Sequence, residues 1–295
     1  MSQVMLPDTT PERELVELWI ANKRSRHTKR AYRKEIEAFY RTIDKPLSQV
    51  TLADAITYAQ AITGGENTKR RTINILKSFY SFACKTNLFQ VNVFAAVVAP
   101  GPKSAVSERI LPEWAVQRMI ALETNPRNHC LLMLLYASGV RVSELCNLQW
   151  GQVIERSDGG QIDVVGKGDK KRSILLHTHA WAVLLSLRGS CGPHDYVFQS
   201  RQSVSRTGGS DGKRLDTRSV LQIVRKAAIR ASVPDPETAK KVSPHWLRHS
   251  HGSHSIEHNA PITVVRDTMG HSSIAVTNTY AHARPGTSSS TYLPI

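Results

Sequence analysis

The side chains most able to do chemistry in this sequence are two arginines, two histidines, a lysine and a tyrosine, most of them near the C-terminal end. They are Arg141, Lys167, His245, Arg248, His271 and Tyr280. An oxygen nucleophile that breaks a phosphodiester bond must be activated, the phosphate charge must be neutralised, and the leaving oxygen must be protonated. This set of side chains suits transfer of a phosphodiester to a tyrosine without a metal.

Arg141 and Arg248 are the candidates for holding the phosphate, because a guanidinium group binds phosphate oxygens in bidentate fashion and stays protonated. His245 precedes Arg248 by three residues, so on a helix the two side chains share a face and could point at one phosphate. His271 follows Gly270 at a predicted turn, where a hydrogen-bond donor can approach a substrate closely. A single arginine or histidine usually has a structural role, but the combination favours a shared site.

A metal site is the alternative for the histidines, because His245 and His249 have the i, i+4 spacing of zinc-binding helices. The glutamate of a metalloprotease motif is missing between them, and Arg248 would repel a cation. The four cysteines lie far apart without a CxxC pair, which predicts reduced thiols in a cytoplasmic protein. We therefore expect no metal and no cofactor.

The overall charge points to a polyanionic partner. Lys and Arg number 39 against 24 Asp and Glu, a formal net charge of +15 in 295 residues. Phosphates attract such a chain through counterion release, although acidic lipids would also attract it. Apolar stretches such as residues 131–137 are far shorter than a bilayer span, and no leader precedes the first helical pattern. We expect a cytoplasmic, nucleoid-associated protein that binds double-stranded DNA and not a membrane.

The first 100 residues have a helical pattern, with apolar residues at spacings of three and four. Thr51 and Asn67 are predicted caps. The pattern predicts helices over residues 12–22, 28–43, 52–62 and 67–86.

Basic residues cluster in this helical part of the chain. Residues 23–34 hold seven of them and no acid, and a second cluster opens the fourth predicted helix. Such a run is either a solvated helix face or a phosphate-binding surface, about equally in this context. The candidate DNA-binding residues are Lys23, Arg24, Arg26, Lys29, Arg30, Arg33, Lys69, Arg70 and Arg71.

A Pro-, Gly- and Ser-containing segment near residue 100 predicts a domain boundary. We predict a helical domain over residues 1–99, a linker over 100–108 and a catalytic domain over 109–295. The second domain should contain a β-hairpin with Lys167 at its tip. Its strands would cover 161–165 and 172–176, and its helices 112–123, 128–138, 178–187, 216–231, 244–258, 262–269 and 274–281.

The fold class is thus mainly α with a small β-hairpin. The chain resembles the tyrosine recombinase (phage integrase) family, weakly over its first 100 residues and strongly over residues 111–282. Nine positions separate His271 from Tyr280, as in that family, and the compact two-domain layout is most similar to Xer-type site-specific recombinases. The residues that carry the resemblance are Arg141, Lys167, His245-Trp246-Leu247-Arg248, Gly270-His271 and Tyr280.

The resemblance implies that Tyr280 is the nucleophile, which forms a 3′-phosphotyrosyl link and frees a 5′ hydroxyl. It implies that Lys167 is the general acid for that hydroxyl, and that no ATP is needed. Tyr292 also lies near the end, but among Ser, Thr and Pro in a predicted frayed tail.

The remaining site residues also receive roles from the resemblance. Arg141 and Arg248 would hold the scissile phosphate, and His245 and His271 would assist in proton transfer or transition-state hydrogen bonding. Glu144 would support the turn that carries Arg141, or would be an ordinary acid at a helix start.

The resemblance further implies a two-domain DNA clamp, with four protomers on two DNA sites as a homotetramer or a heterotetramer, and an activator protein as a possible partner. Chromosome dimer resolution is the favoured task, with integration or excision of a mobile element as the alternative. A type IB topoisomerase or a silent DNA-binding regulator are other hypotheses. Two features depart from the family pattern: residues 284–290 break any helix after Tyr280, and the loop 206–214 has no assigned role.

Overall fold

The computed structural model describes residues 11–101, 107–157, 159–166, 169–200, 213–233, 235–271 and 273–281. The chain separates into two compact units, Met1–Ser104 and Ala105–Ile295. Lys167, the tail 284–290 and most of the loop 206–214 lie outside the described residues.

The described part of the first unit contains the four predicted helices, with ends shifted by one or two residues. They are α1 (Pro11–Ala21), α2 (Arg26–Ile43), α3 (Leu52–Ala61) and α4 (Glu66–Lys85). Their apolar faces meet in a core of buried aromatic rings, among them Trp19, Phe39 and Phe79. Tyr80 is also buried in this core, and its hydroxyl donates a hydrogen bond to the Leu47 carbonyl at 2.9 Å.

The two predicted helix caps have different outcomes. Thr51 is the N-cap of α3, where it forms a capping box with Asp54. The prediction for Asn67 is wrong, because α4 begins at Glu66 and its N-cap is Gly65. Glycine is accepted at an N-cap, and an acidic residue in the first turn interacts favourably with the helix dipole.

The described part of the second unit is also mainly helical. Its helices are α5 (Glu113–Ala121), α6 (Pro126–Ala137), α7 (Val142–Cys146), α8 (Thr178–Leu185), α9 (Thr217–Ala231), α10 (Pro236–Ala239), α11 (Pro244–Glu257), α12 (Ile262–Met269) and α13 (Ile274–Ala281). The sequence pattern did not predict α7 and α10, which are too short to show a helical period. Helix α6 lies in the core, with residues 130–135 all buried.

A three-stranded antiparallel sheet accompanies these helices, in the order β1 (Val153–Arg156), β2 (Gly159–Val165) and β3 (Lys171–Leu176). The predicted hairpin is confirmed as β2 and β3, in which buried Ile162 pairs with buried Ile174. The first strand was not predicted, because only Val153 of its four residues is buried and the strand has no alternation.

The four cysteines are free thiols, of which Cys130 and Cys146 are buried and Cys84 and Cys191 are half-buried. Among the described residues, no helix is long and apolar enough to span a membrane.

Candidate active site

Arg141 and Glu144 lie together where α7 begins. The Glu144 carboxylate accepts hydrogen bonds from the Arg141 backbone N–H at 2.8 Å and from Arg141 Nη1 at 2.9 Å. The second terminal nitrogen of Arg141 donates to the Gly270 carbonyl at 3.2 Å, which brings the start of α7 to the end of α12. The Glu144 side chain is only 3% exposed, so this acid is a buried anchor rather than a solvated first-turn residue.

Arg172 is a second arginine on the same carboxylate, and sequence reasoning did not single it out. Its Nη1 and Nη2 donate to the two Glu144 oxygens at 3.1 and 2.8 Å, and its Nε donates to the Thr268 carbonyl at 2.8 Å. Arg172 therefore ties β3 to α7 and to the end of α12. Burial alone would raise the pKa of Glu144, but the hydrogen bonds from Arg172 and Arg141 outweigh it and hold the pKa below its usual value.

Arg248 projects from α11 and is 5% exposed. One terminal nitrogen donates to the Gly139 carbonyl, and the other donates to the Met269 carbonyl at 2.6 Å. Desolvation, followed by the charge of Arg141, lowers the pKa of Arg248 to about 10, so it remains a cation at neutral pH. Two backbone carbonyls thus orient a buried positive charge.

The turn between α12 and α13 positions His271. Gly270 ends α12 in a left-handed conformation with φ 64°, which glycine adopts without strain. A Cβ atom at Gly270 would also lie 3.0 Å from Arg172 Nη1. His271 Nδ1 lies 2.9 Å from the hydroxyl of Thr277, which is fully buried and therefore fixes the orientation of the ring.

Tyr280 lies on α13 and is 4% exposed. Its ring stacks on His271, with 6.0 Å between ring centroids and 12° between planes. Its hydroxyl lies 2.9 Å from Nδ1 of His249, a residue considered in the sequence only as part of a metal pair. Gly252 makes room for the ring, because a Cβ atom there would lie 3.1 Å from Tyr280 Cδ2.

Two positive charges act on Tyr280. Burial raises the pKa of Tyr280, and the charges of Arg248 and Arg141 oppose that shift. Desolvation, followed by the same two charges, lowers the pKa of His271 to about 4. Desolvation and then Arg248 also lower the pKa of His245. The histidines of the site are therefore neutral at pH 7, and the excess positive charge suits an anionic substrate.

His245 and Lys167 differ from the other predicted residues in their placement. His245 is exposed on α11 and lines an open groove of 720 Å³ together with Arg109, Lys241 and His249. Lys167 lies outside the described residues. Among the described neighbours, the Gly166 N–H donates a 2.8 Å hydrogen bond to the Lys170 carbonyl.

A second groove, of 590 Å³, is lined by Arg141, Arg172, His271 and the hairpin residues Gly166 and Lys170. Among the described residues, no group of three His, Cys, Asp or Glu side chains could hold a metal ion.

The basic residues of the first unit have different surroundings. Arg24, Arg26 and Arg30 are exposed, while the Lys23 ammonium lies over the rings of Trp19 and Tyr32 at 5.0 and 5.1 Å from their centroids.

The remaining basic residues of α2, and those of the second basic cluster at the start of α4, are partly buried or form ion pairs. Arg33 forms a bidentate ion pair with Glu17, and Arg71 lies 3.8 Å from Glu35. Lys29, Lys69 and Arg70 are half-buried, and Arg71 is exposed. The cluster is therefore partly a packed and ion-paired helix surface.

Comparisons with known proteins extend over both units. The family model described as "Phage integrase family" matches residues 109–286, and the one described as "Phage integrase, N-terminal SAM-like domain" matches residues 15–87. Tyrosine recombinase XerC of Xylella fastidiosa (strain 9a5c) is 30% identical over 270 residues, which cover 88% of this chain and 86% of that protein. Tyrosine recombinase XerC of Xanthomonas campestris pv. campestris (strain B100) is 29% identical over 281 residues, which cover 91% and 82%.

A solved structure gives the same result for the fold. The crystal structure of a lambda integrase(75-356) dimer bound to a COC′ core site aligns with a TM-score of 0.72 and is 16% identical, and the alignment covers 94% of this chain and 96% of that one. The match of the integrase family model spans more than half of the sequence and includes the whole arginine, histidine and tyrosine cluster. The chain therefore belongs to the phage integrase family of tyrosine recombinases.

Proposed function

We propose that this protein is a site-specific recombinase that cleaves and rejoins double-stranded DNA through a 3′-phosphotyrosyl intermediate. The observation that carries the proposal is the convergence of Tyr280 with two arginines. Arg248 and Arg141 both act electrostatically on the tyrosine hydroxyl, and both are bonded to carbonyls at the end of α12. A tyrosine nucleophile beside a phosphate needs this arrangement.

In the proposed reaction, the Tyr280 oxygen attacks the scissile phosphorus and the bond to the 5′ oxygen breaks. Arg141 and Arg248 neutralise the nonbridging oxygens, and Lys167 gives a proton to the leaving 5′ oxygen. The phosphotyrosyl ester retains the energy of the broken bond, so a free 5′ hydroxyl can attack it and restore the DNA without ATP.

His245 and His271 assist this reaction as hydrogen-bond donors or proton carriers in the transition state. The contact between His271 and Thr277 supports such a role, because it fixes one ring nitrogen and leaves Nε2 for a substrate oxygen. Glu144 acts as a positioning residue that holds the Arg141 side chain in place.

For DNA binding we propose a clamp of two domains joined by the linker 100–108. The helical domain, residues 1–99, and the catalytic domain, residues 109–295, would contact the duplex from two sides. The exposed Arg24, Arg26 and Arg30 would contact phosphates, and α9 and α2 would supply base contacts. Four protomers, identical or of two kinds, would act on two DNA sites at the nucleoid, with or without an activator.

We propose chromosome dimer resolution as the biological task. The similarity to proteins named XerC over most of the chain supports it. Integration or excision of a mobile element is the alternative, and the identity of the DNA target distinguishes the two.

Covalent capture tests the proposal. Wild type and Tyr280→Phe are incubated with nicked fragments of genomic DNA from the source organism and denatured in detergent, and the DNA that stays on the protein is sequenced. Tyr136→Phe is a matched control, because the Tyr136 hydroxyl also lies 2.9 Å from a histidine Nδ1 on α11, that of His254.

Attachment of one short, imperfectly palindromic chromosomal site by wild type and Tyr136→Phe, but not by Tyr280→Phe, is the expected result. Sites at the ends of a mobile element would favour the alternative task, and scattered attachment would point to a topoisomerase. Absence of any covalent product from folded wild type would overturn the proposed chemistry.

A further inference from the structure

The hydrogen-bond partner of the Tyr280 hydroxyl has no role in the reaction described above. Within the described residues that partner is His249, whose Nδ1 lies 2.9 Å from the hydroxyl oxygen. The ring of His245 lies beyond His249, with 6.5 Å between the two ring centroids. His249 also lines the 720 Å³ groove with His245, Arg109 and Lys241. It therefore joins a buried hydroxyl to an open, basic groove.

We propose that His249 is a catalytic residue, the base that takes the proton of Tyr280. This inference rests on the proposed function. As the tyrosine oxygen bonds to phosphorus, the O–H bond breaks and its proton passes to Nδ1 of His249, while the leaving 5′ oxygen takes its proton from Lys167. In rejoining, the imidazolium of His249 returns the proton to the tyrosine oxygen, and Lys167 takes the proton of the attacking 5′ hydroxyl.

The protonation state of His249 suits this role. Desolvation, followed by the charges of His245, Arg109 and Arg248, lowers the pKa of His249 to about 4, so the ring is neutral at pH 7. In the tautomer with the proton on Nε2, Nδ1 accepts from the Tyr280 hydroxyl. A bound phosphate would bring negative charge close to the ring and raise that pKa toward the range of an effective base. His249 would thus become more basic when DNA is in place.

Position also distinguishes His249 from the other histidines of the site. The His271 ring lies nearly parallel to the Tyr280 ring, with 6.0 Å between ring centroids, and its Nδ1 bonds the Thr277 hydroxyl, whereas Nδ1 of His249 contacts the Tyr280 hydroxyl itself. His254, five residues after His249 along α11, bonds the hydroxyl of Tyr136 instead. His254→Asn is therefore a matched control.

The test measures single-turnover cleavage of the nicked duplex that wild type captures. His249→Asn retains an acceptor oxygen close to the position of Nδ1 but cannot take a proton, and His249→Ala removes both functions. Both variants should bind the duplex as wild type does, and cleavage should slow by about 10²–10⁴-fold, the usual contribution of general acid–base catalysis. His254→Asn should slow cleavage by less than about tenfold, below that range.

Two further measurements distinguish a base from a structural residue. Sulfur in place of the bridging 5′ oxygen gives a leaving group that needs no proton, so this substrate should restore cleavage by Lys167→Ala but not by His249→Asn. Added imidazoles should restore cleavage by His249→Ala, more strongly as the pKa of the imidazole rises, because they can occupy the vacated space as bases.

Cleavage by His249→Asn within about tenfold of wild type would overturn the inference, because a residue that only holds a hydrogen bond is replaced by asparagine without such a loss. Restoration of His249→Asn by the sulfur substrate would also overturn it. These outcomes differ from failure of the proposed function, in which wild type itself forms no covalent complex that depends on Tyr280.

Discussion

Replacement of Arg172 by alanine removes one of the two arginines that neutralise a buried carboxylate. The Glu144 side chain is 3% exposed and the Arg172 side chain 13% exposed, so water does not readily replace the lost guanidinium. The variant loses two hydrogen bonds to Glu144 and one to the Thr268 carbonyl. Arg141 still donates to the carboxylate from its side chain and from its backbone N–H.

Removal of one partner of a buried ion pair usually costs about 3–5 kcal/mol. Because Arg141 still neutralises part of the Glu144 charge, we expect a loss of about 3 kcal/mol, at the lower end of that range. In a unit of this size, each kcal/mol lowers Tm by about 2–4 °C, so Arg172→Ala should lower it by about 6–12 °C. Glu144→Gln removes the buried negative charge. The double variant Arg172→Ala/Glu144→Gln should therefore lose less free energy of unfolding than the sum of the losses of the two single variants.

Urea and thermal unfolding of the four proteins of this cycle, followed by near-ultraviolet circular dichroism, measure these differences. The control is Lys240→Ala, which breaks a pair with Glu237 whose side chains are 62% and 75% exposed. Exposed pairs contribute about 0–1 kcal/mol, so this variant should unfold nearly as wild type. A loss for Arg172→Ala no greater than that of Lys240→Ala, or simple additivity with Glu144→Gln, would refute the reasoning.

Three other outcomes are expected. Gly252→Ala places a methyl group 3.1 Å from Tyr280 Cδ2 and from Met269 Sδ, which should cost about 1–3 kcal/mol of strain and slow single-turnover cleavage without weakening DNA binding. Gly101→Ala is its control, because no atom of the described residues beyond its chain neighbours lies within 4 Å of the added Cβ. Normal cleavage by Gly252→Ala would contradict the expected displacement of the ring. Tyr80→Phe leaves the Leu47 carbonyl without its donor and should lower the free energy of unfolding in urea by about 1 kcal/mol, whereas an unchanged value would mean that the hydroxyl contributes nothing. The free energy of unfolding should fall as pH is lowered from 6.5 to 4, because the unfolded chain binds protons that His249 and His271, with pKa values of about 4, do not bind when folded. Each group contributes at most about 1.4 kcal/mol per pH unit before solvent screening, so His271→Asn should flatten the pH dependence, and an unchanged slope would contradict this account.

Much of the fold could be predicted because the apolar period is long and regular in most of its helices. Helices α12 and α13 begin and end at the predicted residues, and the other predicted helices differ by a few residues at their ends. Helix α7 could not be found, since its five residues complete little more than one turn. The first strand shows no alternation, because three of its four residues are exposed.

The site was predictable in its residue types but not in its connections. Arg141, Arg248, His271 and Tyr280 were predicted from their order and spacing. In the structure both arginines bond to carbonyls at the end of α12, and the His271 ring, just beyond it, stacks with the Tyr280 ring. Arg172 could not be identified, because in the sequence it is the last of three consecutive basic residues, 170–172, with nothing to set it apart. Its role depends on a contact with Glu144, 28 positions earlier, that no local pattern encodes.

The sequence did draw attention to His249, but only as a candidate metal ligand. Its spacing from His245 is that of a metal pair, and only the tertiary contact between α11 and α13 shows that its Nδ1 faces a tyrosine hydroxyl. Helical spacing places side chains on a face, but the neighbouring element determines what that face meets.

The arrangement of Arg141, Arg172 and Arg248 indicates how the proposed phosphate site would be held ready before DNA binds. Guanidinium groups that lie close together repel one another, and burial of Arg248 adds a desolvation cost. Glu144 supplies a compensating negative charge. Backbone carbonyl oxygens add partial negative charge and fix the guanidinium groups by hydrogen bonds; they belong to Gly139, Thr268, Met269 and Gly270. Among the described residues, Glu144 is the one acid that bonds to these guanidinium groups, so the cluster retains net positive charge at fixed positions. A preorganised field of this kind stabilises developing charge at phosphorus without rearrangement of the protein during the reaction.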